Sequence, residues 1–159
     1  MTVQHPFPPF VRRDSEILIL GSFPSVKSRE TGFFYGHPQN RFWRVCASVF
    51  ADAVPETVEE KKAFLAAHRI ALWDVIAACE IVGSSDASIQ NAVPNDLAPL
   101  LAEANIQKIF VNGRTAEALY RKYTEPVLHR GAVLLPSTSP ANAAWHFERL
   151  CAVWAQIRL

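Results

Sequence analysis

The sequence predicts an α/β fold, a three-layer α/β/α sandwich around a central, mostly parallel four-stranded sheet. Four short apolar runs have the length and composition of strands that are buried on both faces. These runs are 16–21, 71–76, 108–113 and 132–136. Segments with helical spacing of apolar residues lie between and around them, at 42–50, 57–69, 95–105 and 115–124. Alternating strands and helices indicate a parallel sheet covered by helices on both faces.

Local sequence signals mark where the first strand ends and where the first and last helices begin. The first strand ends at Gly21, and Pro24 follows it closely. Asn40 stands near the start of the first helix, where it can cap a free backbone N–H. The last helix is predicted to begin at Pro140, a favoured first-turn position. Its apolar stripe toward the sheet comprises Ala144, Phe147, Leu150, Cys151, Trp154 and Ile157.

Length and composition suit one globular unit, and we expect a single domain over residues 1–159. Apolar residues make up 50% of the chain and charged residues 19%, which excludes a disordered protein. The formal net charge is only +1, so overall charge does not indicate a nucleic-acid-binding protein. Contacts to DNA therefore require local cations, such as the pairs Lys27/Arg29 and Arg41/Arg44.

The cysteines and the apolar runs argue against a disulfide-rich protein, a metalloprotein and a membrane protein. Cys46, Cys79 and Cys151 are odd in number and far apart, which suits neither a disulfide framework nor a metal centre. We expect buried, reduced thiols, no metal cluster and no cofactor. Residues 1–14 lack a basic-then-apolar leader, and no apolar run reaches the length of a membrane span. These features predict a cytoplasmic protein that does not contact membranes.

Ligands of such sheets bind beyond the carboxyl ends of the strands, which directs attention to three loops. These loops follow Leu20, Val111 and Leu135, and they contain Gly21-Ser22-Phe23-Pro24-Ser25, Asn112-Gly113-Arg114 and Ser137-Thr138-Ser139-Pro140-Ala141-Asn142. Each has two interpretations. The first two are simple turns or polar linings of the crevice, and the hydroxyls of the third either cap the next helix or bind an anion.

The segment 31–43 combines aromatic rings, a turn, an amide and a cation, a grouping suited to a planar heterocycle such as a nucleobase. Tyr35 either stacks on a base or fills the core. Asn40 either acts on a substrate or caps its helix, and His37 can merely shape the turn. Asp74 lies inside an apolar run and needs a partner there. Asp86 is expected in a solvated loop.

Three motifs, at 21–24, 35–43 and 137–142, stand in an order that resembles the uracil-DNA glycosylase superfamily, and the resemblance extends across most of the chain. The likeness is greatest to its hypoxanthine-DNA (deoxyinosine) glycosylase branch, which uses G-S-F/M-P, then Y-x-H-P-x-N-x-F-W, then a segment of the S-T-S-P-A-N type. The block 33–43 is the specific part of this resemblance. One departure concerns Phe23, because mismatch-specific uracil glycosylases carry a water-positioning Asn there, in a Gly-x-Asn-Pro-Gly motif.

The resemblance implies a role for each matching position. Asn40 is the implied catalytic residue, and Asn112 is implied in support of it. Tyr35 is implied to stack on the extruded base, in a binding site that also includes Gly21, Ser22, Phe23 and His37. The residues implied to grip DNA are Ser137, Thr138, Ser139, Asn142 and Arg41. No large apolar wedge is present in that last motif, so the residue that plugs the duplex is left open.

The implied activity is hydrolysis of the N-glycosidic bond of a deaminated base, with hypoxanthine preferred, leaving an abasic site. The reaction is expected to be monofunctional and independent of metal, on double-stranded DNA, with single-stranded DNA left open, and the protein is expected to be a monomer. Two alternatives stay open at this point. They are a G:U/G:T mismatch-specific uracil/thymine glycosylase, and a non-catalytic nucleotide-binding module that uses the same crevice.

Overall fold

The computed structural model describes residues 1–159 and contains two sheets. The strands are β1 (Thr2–Gln4), β2 (Ile17–Gly21), β3 (Ile70–Asp74), β4 (Ile76–Glu80), β5 (Gln90–Pro94), β6 (Lys108–Asn112) and β7 (Val133–Leu135). The helices are α1 (Val26–Thr31), α2 (Phe42–Phe50), α3 (Val58–Ala67), α4 (Ala98–Glu103), α5 (Arg114–Leu119), α6 (Glu125–Leu128) and α7 (Phe147–Trp154). A π-helical turn joins α5 to α6 at Tyr120–Thr124. No helix is long and apolar enough to cross a membrane.

The larger sheet has four strands in the order β3-β2-β6-β7, and every pairing in it is parallel. The central strand β2 places Ile17 opposite Ile70 on one side and opposite Lys108 on the other. All four carboxyl ends consequently lie at one edge of the sheet. The predicted fold class is confirmed, and the four predicted strands form this sheet.

Both faces of this sheet are covered, which explains why its strands are apolar without alternation. Ile17 and Ile19 face a buried cluster that contains Phe42 and Trp154, from α2 and α7. Leu18 and Leu20 face the opposite cluster, with residues of α4 and α5. These four β2 side chains are at most 2% exposed. Helices therefore pack on both sides of the sheet, as the three-layer prediction requires.

A second sheet of three antiparallel strands, in the order β1-β4-β5, was not predicted. The predicted strand 71–76 divides at Val75, between the end of β3 and the start of β4. The Val75 N–H donates to the Gly21 carbonyl at 2.9 Å, and the Asn95 N–H donates to the Val75 carbonyl at 2.8 Å. The chain thus leaves one sheet and enters the other within one residue, which places β1 and its neighbour His5 near the carboxyl end of β3.

The last helix begins at Phe147, so its predicted start at Pro140 is wrong. Residues 137–146 form a loop instead, which we call the 137–146 loop. The side chain of Arg41 donates to the carbonyls of Ser139, Asn142 and Trp145. Because a side chain from another element satisfies these carbonyls, the loop needs no helical hydrogen bonds there.

The three cysteines are free, as predicted, but they differ in burial. Cys46 and Cys79 are buried, whereas Cys151 is partly exposed. Burial raises the pKa of the Cys79 thiol above its ordinary value, an effect that the nearby Arg29 charge opposes in part. A thiol with a raised pKa is a poor nucleophile at neutral pH. Cys79 is accordingly a packing residue of the second cluster.

Candidate active site

A cavity of about 320 Å³ lies beyond the carboxyl ends of the parallel strands, where the sequence predicts the ligand crevice. Its walls come from the loop after β2, the segment before α2, the ends of β3 and β6, and the 137–146 loop. The predicted site residues that line it are Gly21, Ser22, Phe23, Tyr35, His37, Asn40, Asn112, Ser137, Thr138 and Ser139. Arg41 and Asn142 lie outside the lining of this cavity.

Tyr35 forms an aromatic wall of the cavity, and the ring behind it is Phe42. The two rings stack with centroids 4.0 Å apart and planes 14° from parallel. The Tyr35 backbone has a left-handed φ of 52°, which is uncommon for a side chain of this size. Strain of this kind persists where surrounding packing holds the residue. The stack on Phe42 therefore fixes the Tyr35 ring in the cavity wall.

The hydroxyl of Tyr35 is buried and makes no hydrogen bond of ordinary geometry. Burial raises the pKa of Tyr35 far above its ordinary value, and the negative charge of Asp74 raises it further, while the Asn112 side chain partly offsets both. The phenol is consequently protonated at any physiological pH. It is a buried donor without a partner of ordinary hydrogen-bond geometry.

The position of Asn40 suits both of its predicted roles, which are to bond the start of the helix and to act on a substrate. Its Oδ1 accepts the backbone N–H of Phe42 at 2.9 Å and so satisfies one free N–H at the start of α2, as predicted, although the N-cap residue of this helix is Arg41. The same residue also lines the cavity. Its Nδ2 makes no hydrogen bond within the protein, which leaves the amide hydrogens available to a ligand. His37 is similar: its Nδ1 accepts the Gln39 N–H at 3.1 Å and shapes the turn, and the residue lines the cavity.

Asn112 holds the 137–146 loop against the end of β6. Its Nδ2 donates to the Thr138 hydroxyl at 3.0 Å, and its Oδ1 accepts the Thr138 N–H at 3.1 Å. Thr138 is fully buried, so its side chain does not fit the predicted contact with DNA. The polar groups of Thr138 are instead used in the two hydrogen bonds with Asn112. Asn112 and Thr138 together set the position of the loop.

Arg41 also acts on the 137–146 loop, while its predicted contact with DNA stays a prediction. Its backbone N–H donates to the Thr138 carbonyl at 3.1 Å. Its guanidinium donates to the carbonyls of Asn142 at 3.1 Å and Ser139 at 3.3 Å, and to that of Trp145. A planar guanidinium with several fixed donors suits this task. The cation is used within the protein, where it orients the loop.

The polar side chains of the 137–146 loop mostly bond to their own backbone. Ser137 Oγ accepts the Ser139 N–H at 3.1 Å, and Ser139 Oγ accepts the Ala141 N–H at 3.2 Å. Asn142 Nδ2 donates to the Ser137 carbonyl at 3.0 Å. These groups therefore stabilise the loop itself and do not cap the next helix, whose N-cap residue is His146 and has no side-chain cap. Ser137 and Ser139 still line the cavity, and the exposed tip of the loop carries only small residues.

Sequence patterns assigned no role to two carboxylates that line the cavity. Asp74, at the end of β3, is 4% exposed and accepts a hydrogen bond from His5, with 2.7 Å between His5 Nε2 and Asp74 Oδ2. A Cβ atom at Gly21 would lie 2.5 Å from Asp74 Oδ1. Any side chain at position 21 would therefore force this carboxylate to move. The position of Asp74 within an apolar run was the available signal, whereas nothing in the sequence indicates His5.

Asp86 is the second carboxylate. It lies in an exposed loop, as predicted, yet its Oδ1 accepts the Ser22 hydroxyl at 2.7 Å at the edge of the cavity. Partial burial of the carboxyl group raises the pKa of Asp86, the Ser22 hydrogen bond lowers it, and the charge of Asp74 raises it. Ser22 is consequently held by a carboxylate that belongs to a different loop.

Comparison with known proteins gives consistent results. The family model described as the uracil DNA glycosylase superfamily matches residues 8–158. A hypoxanthine DNA glycosylase of Methanosarcina acetivorans is 36% identical over 153 residues, which are 92% of this chain and 93% of that protein. A hypoxanthine DNA glycosylase of Methanosarcina barkeri is 34% identical over 138 residues, or 86% of each chain. A solution NMR structure of a candidate uracil DNA glycosylase from M. acetivorans superimposes with a TM-score of 0.81, at 31% identity and over 100% of both chains.

Proposed function

The chain belongs to the uracil DNA glycosylase superfamily, and we propose on that basis that it is a DNA repair glycosylase that releases deaminated bases, hypoxanthine above all. It flips the base out of DNA and hydrolyses its N-glycosidic bond, leaving an abasic site. One observation carries the proposal. The cavity brings together an aromatic wall at Tyr35, an amide at Asn40 and a buried carboxylate at Asp74.

Asp74 gives this cavity a means of selecting deaminated bases. Hypoxanthine and uracil each carry a ring N–H next to a carbonyl, whereas adenine has a lone pair at the corresponding ring nitrogen. A carboxylate only accepts hydrogen bonds, so Asp74 Oδ1 suits the ring N–H and repels adenine. A site built around such a polar contact rejects the analogue that lacks it more strongly than an apolar pocket does. Asp74 thus selects the base before bond cleavage.

Bond cleavage requires the cavity to stabilise opposite charges. The bonding electron pair leaves with the base, while positive charge develops on the sugar until the oxygen of a water molecule bonds to the anomeric carbon. In our proposal Asn40 orients that water or bonds to the base, and the backbone N–H groups of residues 21–23 stabilise the departing anion. Tyr35 holds the ring by stacking. The water proton passes to the released base or to solvent.

The substrate that we propose is double-stranded DNA, with the chain acting as a monomer. Extruding a nucleotide costs a few kcal/mol, and it costs least at a weakened pair such as one that contains hypoxanthine or uracil. Asn112 and Arg41 then serve by holding the 137–146 loop beside the extruded nucleotide.

The direct test is base release from matched duplexes that carry hypoxanthine, uracil, xanthine, mismatched thymine or adenine. We expect hypoxanthine to be released fastest and adenine not at all. The product should be an abasic strand that breaks only after alkali treatment. A protein that binds the hypoxanthine duplex but releases no base would instead be a nucleotide-binding module. Preferential release of mismatched thymine or uracil would favour the mismatch-specific alternative.

Replacing Phe23 with asparagine should shift the preference toward uracil. Phe23 lines the cavity and is 7% exposed, so it presents an apolar edge where the mismatch-specific branch carries an amide. Differences of this kind are worth about 1–3 kcal/mol, so the ratio of uracil to hypoxanthine release should rise by roughly tenfold. Single-turnover rates on matched duplexes provide the measurement. Phe23→Leu, which keeps the apolar edge, is the control, and an unchanged ratio in Phe23→Asn would contradict this assignment.

Removing divalent metals should leave hypoxanthine release unchanged. The proposed groups are an amide, an aromatic ring, a carboxylate and backbone N–H donors, and none needs a metal to act. No group of three or more potential ligands converges anywhere in the structure. The measurement is the single-turnover rate after dialysis against EDTA, with the buffer alone as the control. Loss of activity that zinc or magnesium restores would show that this mechanism is wrong.

A further inference from the structure

His5 lies outside the part of the chain that the family model matches, which begins at residue 8. Its side chain nevertheless reaches the cavity carboxylate, because Nε2 lies 2.7 Å from Oδ2 of Asp74. The two side chains are only 3% and 6% exposed. A hydrogen bond to a charged group in such a dry location is stronger than one at the surface. The contact therefore bears on what Asp74 presents to a substrate.

The N-terminal segment holds His5 rigidly. Strand β1 pairs with β4, and the His5 N–H continues this pairing by donating to the Ala77 carbonyl at 2.8 Å. The imidazole packs between Phe7 and Trp73, whose ring centroids lie 4.6 Å and 4.5 Å away. Such packing leaves one orientation for the ring. His5 Nε2 is thereby fixed next to Asp74.

The imidazole of His5 makes its hydrogen bond through Nε2 alone. His5 Nδ1 is buried and has no hydrogen-bond partner. Leaving a buried polar atom unpaired costs free energy, so the ring makes its one hydrogen bond through Nε2. A carboxylate oxygen only accepts hydrogen bonds, so Nε2 is the donor to Asp74.

We propose that His5 is a positioning residue that acts through Asp74. By donating to Oδ2 it keeps the carboxylate in one orientation, with Oδ1 beside Gly21 as the acceptor for the ring N–H of the extruded base. This inference rests on the proposed function, since it assigns Asp74 the contact with the base. It adds a determinant of base selection that lies in the N-terminal segment, outside the three motifs.

Few other groups face Asp74. The Tyr35 hydroxyl and Asp74 Oδ1 both lie close to Gly21, and the Asp86 carboxylate shares the cavity. Asn95 bonds only to the Asp74 backbone carbonyl, at 2.8 Å. Asp86 carries a negative charge and therefore cannot donate a hydrogen bond to Asp74. His5 is thus the one side chain that donates a hydrogen bond to the Asp74 carboxylate.

The test compares His5→Phe with His5→Gln. Phenylalanine keeps the packing and removes the donor, whereas the glutamine side-chain amide can donate in place of Nε2. We expect His5→Phe to lower the single-turnover rate of hypoxanthine release at pH 7 by about tenfold or more, the scale of one hydrogen bond to a charged group. His5→Gln should recover most of the rate.

A double-mutant cycle with Asp74→Asn shows whether His5 acts through Asp74. In the Asp74→Asn protein, adding His5→Phe should change the rate by less than about twofold, because the carboxylate is already gone. The matched control is His68→Phe, which removes another His–Asp contact, 2.8 Å from His68 Nε2 to Asp52 Oδ2, at a site outside the cavity. That variant should keep the wild-type rate. Thermal melting of each variant monitors folding.

The outcomes separate this inference from the proposed function. A wild-type protein that releases no base would overturn the proposed function, whatever the variants do. If the wild type is active, an unchanged rate in His5→Phe would overturn the role of His5. Equal losses from His5→Phe with and without Asp74→Asn would also overturn it, since His5 would then act only on stability. If His5→Phe does not fold, a folded His5→Gln protein that fails to recover most of the wild-type rate would overturn the role of His5 as well.

Discussion

Replacing Asn40 with alanine should lower the single-turnover rate of hypoxanthine release by roughly 10²–10³-fold, the scale of one positioned catalytic group. The loss is expected because Nδ2 has no partner within the protein, while the residue lines the cavity. The same change removes the cap on the Phe42 N–H and should cost about 1 kcal/mol of stability. Base-release rates and thermal melting of the same preparation measure the two effects separately.

Asn40→Ser is the matched control for this prediction. A serine hydroxyl can still accept the N–H at the start of α2, but it offers no amide to the substrate. Its stability should therefore stay close to that of the wild type, while its rate falls almost as far as that of Asn40→Ala. A serine variant with the full wild-type rate would reduce Asn40 to a helix cap.

Replacing Tyr35 with alanine should lower the rate by roughly 10–100-fold, because stacking on a base is worth about 1–3 kcal/mol. Removing the ring also leaves Phe42 without its stacking partner, so stability should fall by about 2–4 kcal/mol. Tyr35→Phe keeps both stacks and deletes only a buried hydroxyl without a hydrogen bond. Its stability should match or exceed that of the wild type, because no buried donor is left unpaired.

Single-turnover kinetics below the melting temperature of each variant provide the measurement for Tyr35. A large rate loss in Tyr35→Phe would assign the reaction to the hydroxyl instead of the ring. Because the pKa of Tyr35 is raised by burial, the hydroxyl would then act as a protonated donor and not as a base. Wild-type activity in a folded Tyr35→Ala protein would remove the stacking role altogether.

The parallel sheet was predictable because burial on both faces imposes a continuous apolar run on each strand. Strands β1 and β5 escaped prediction for the opposite reason. They are short and largely exposed, and they carry no such run. The run at 71–76 was recognised, but nothing local marks the change of sheet at Val75. Its hydrogen bonds go to Gly21 and Asn95, residues that are distant in the sequence.

The start of the last helix shows how a local signal can mislead. Proline favours the first turn of a helix, and Pro140 follows a strand at a reasonable distance. Proline suits turns equally well. The contacts of Arg41 with the 137–146 loop decide between the two, and that residue lies 104 positions before Trp145.

The parallel sheet, the order of the three motifs and the three loops that gather at the carboxyl edge of the strands could all be inferred from the amino-acid order. These features follow from local periodicity and from residue types at short spacing, which act on neighbouring residues of the chain. Three others became evident only in the folded molecule: Arg41 holds a loop, Thr138 is buried, and His5 contacts Asp74. His5 and Asp74 are 69 positions apart, and the pairing of β1 with β4 brings them together. A contact of this kind depends on how distant segments pack, so no local pattern in the sequence records it.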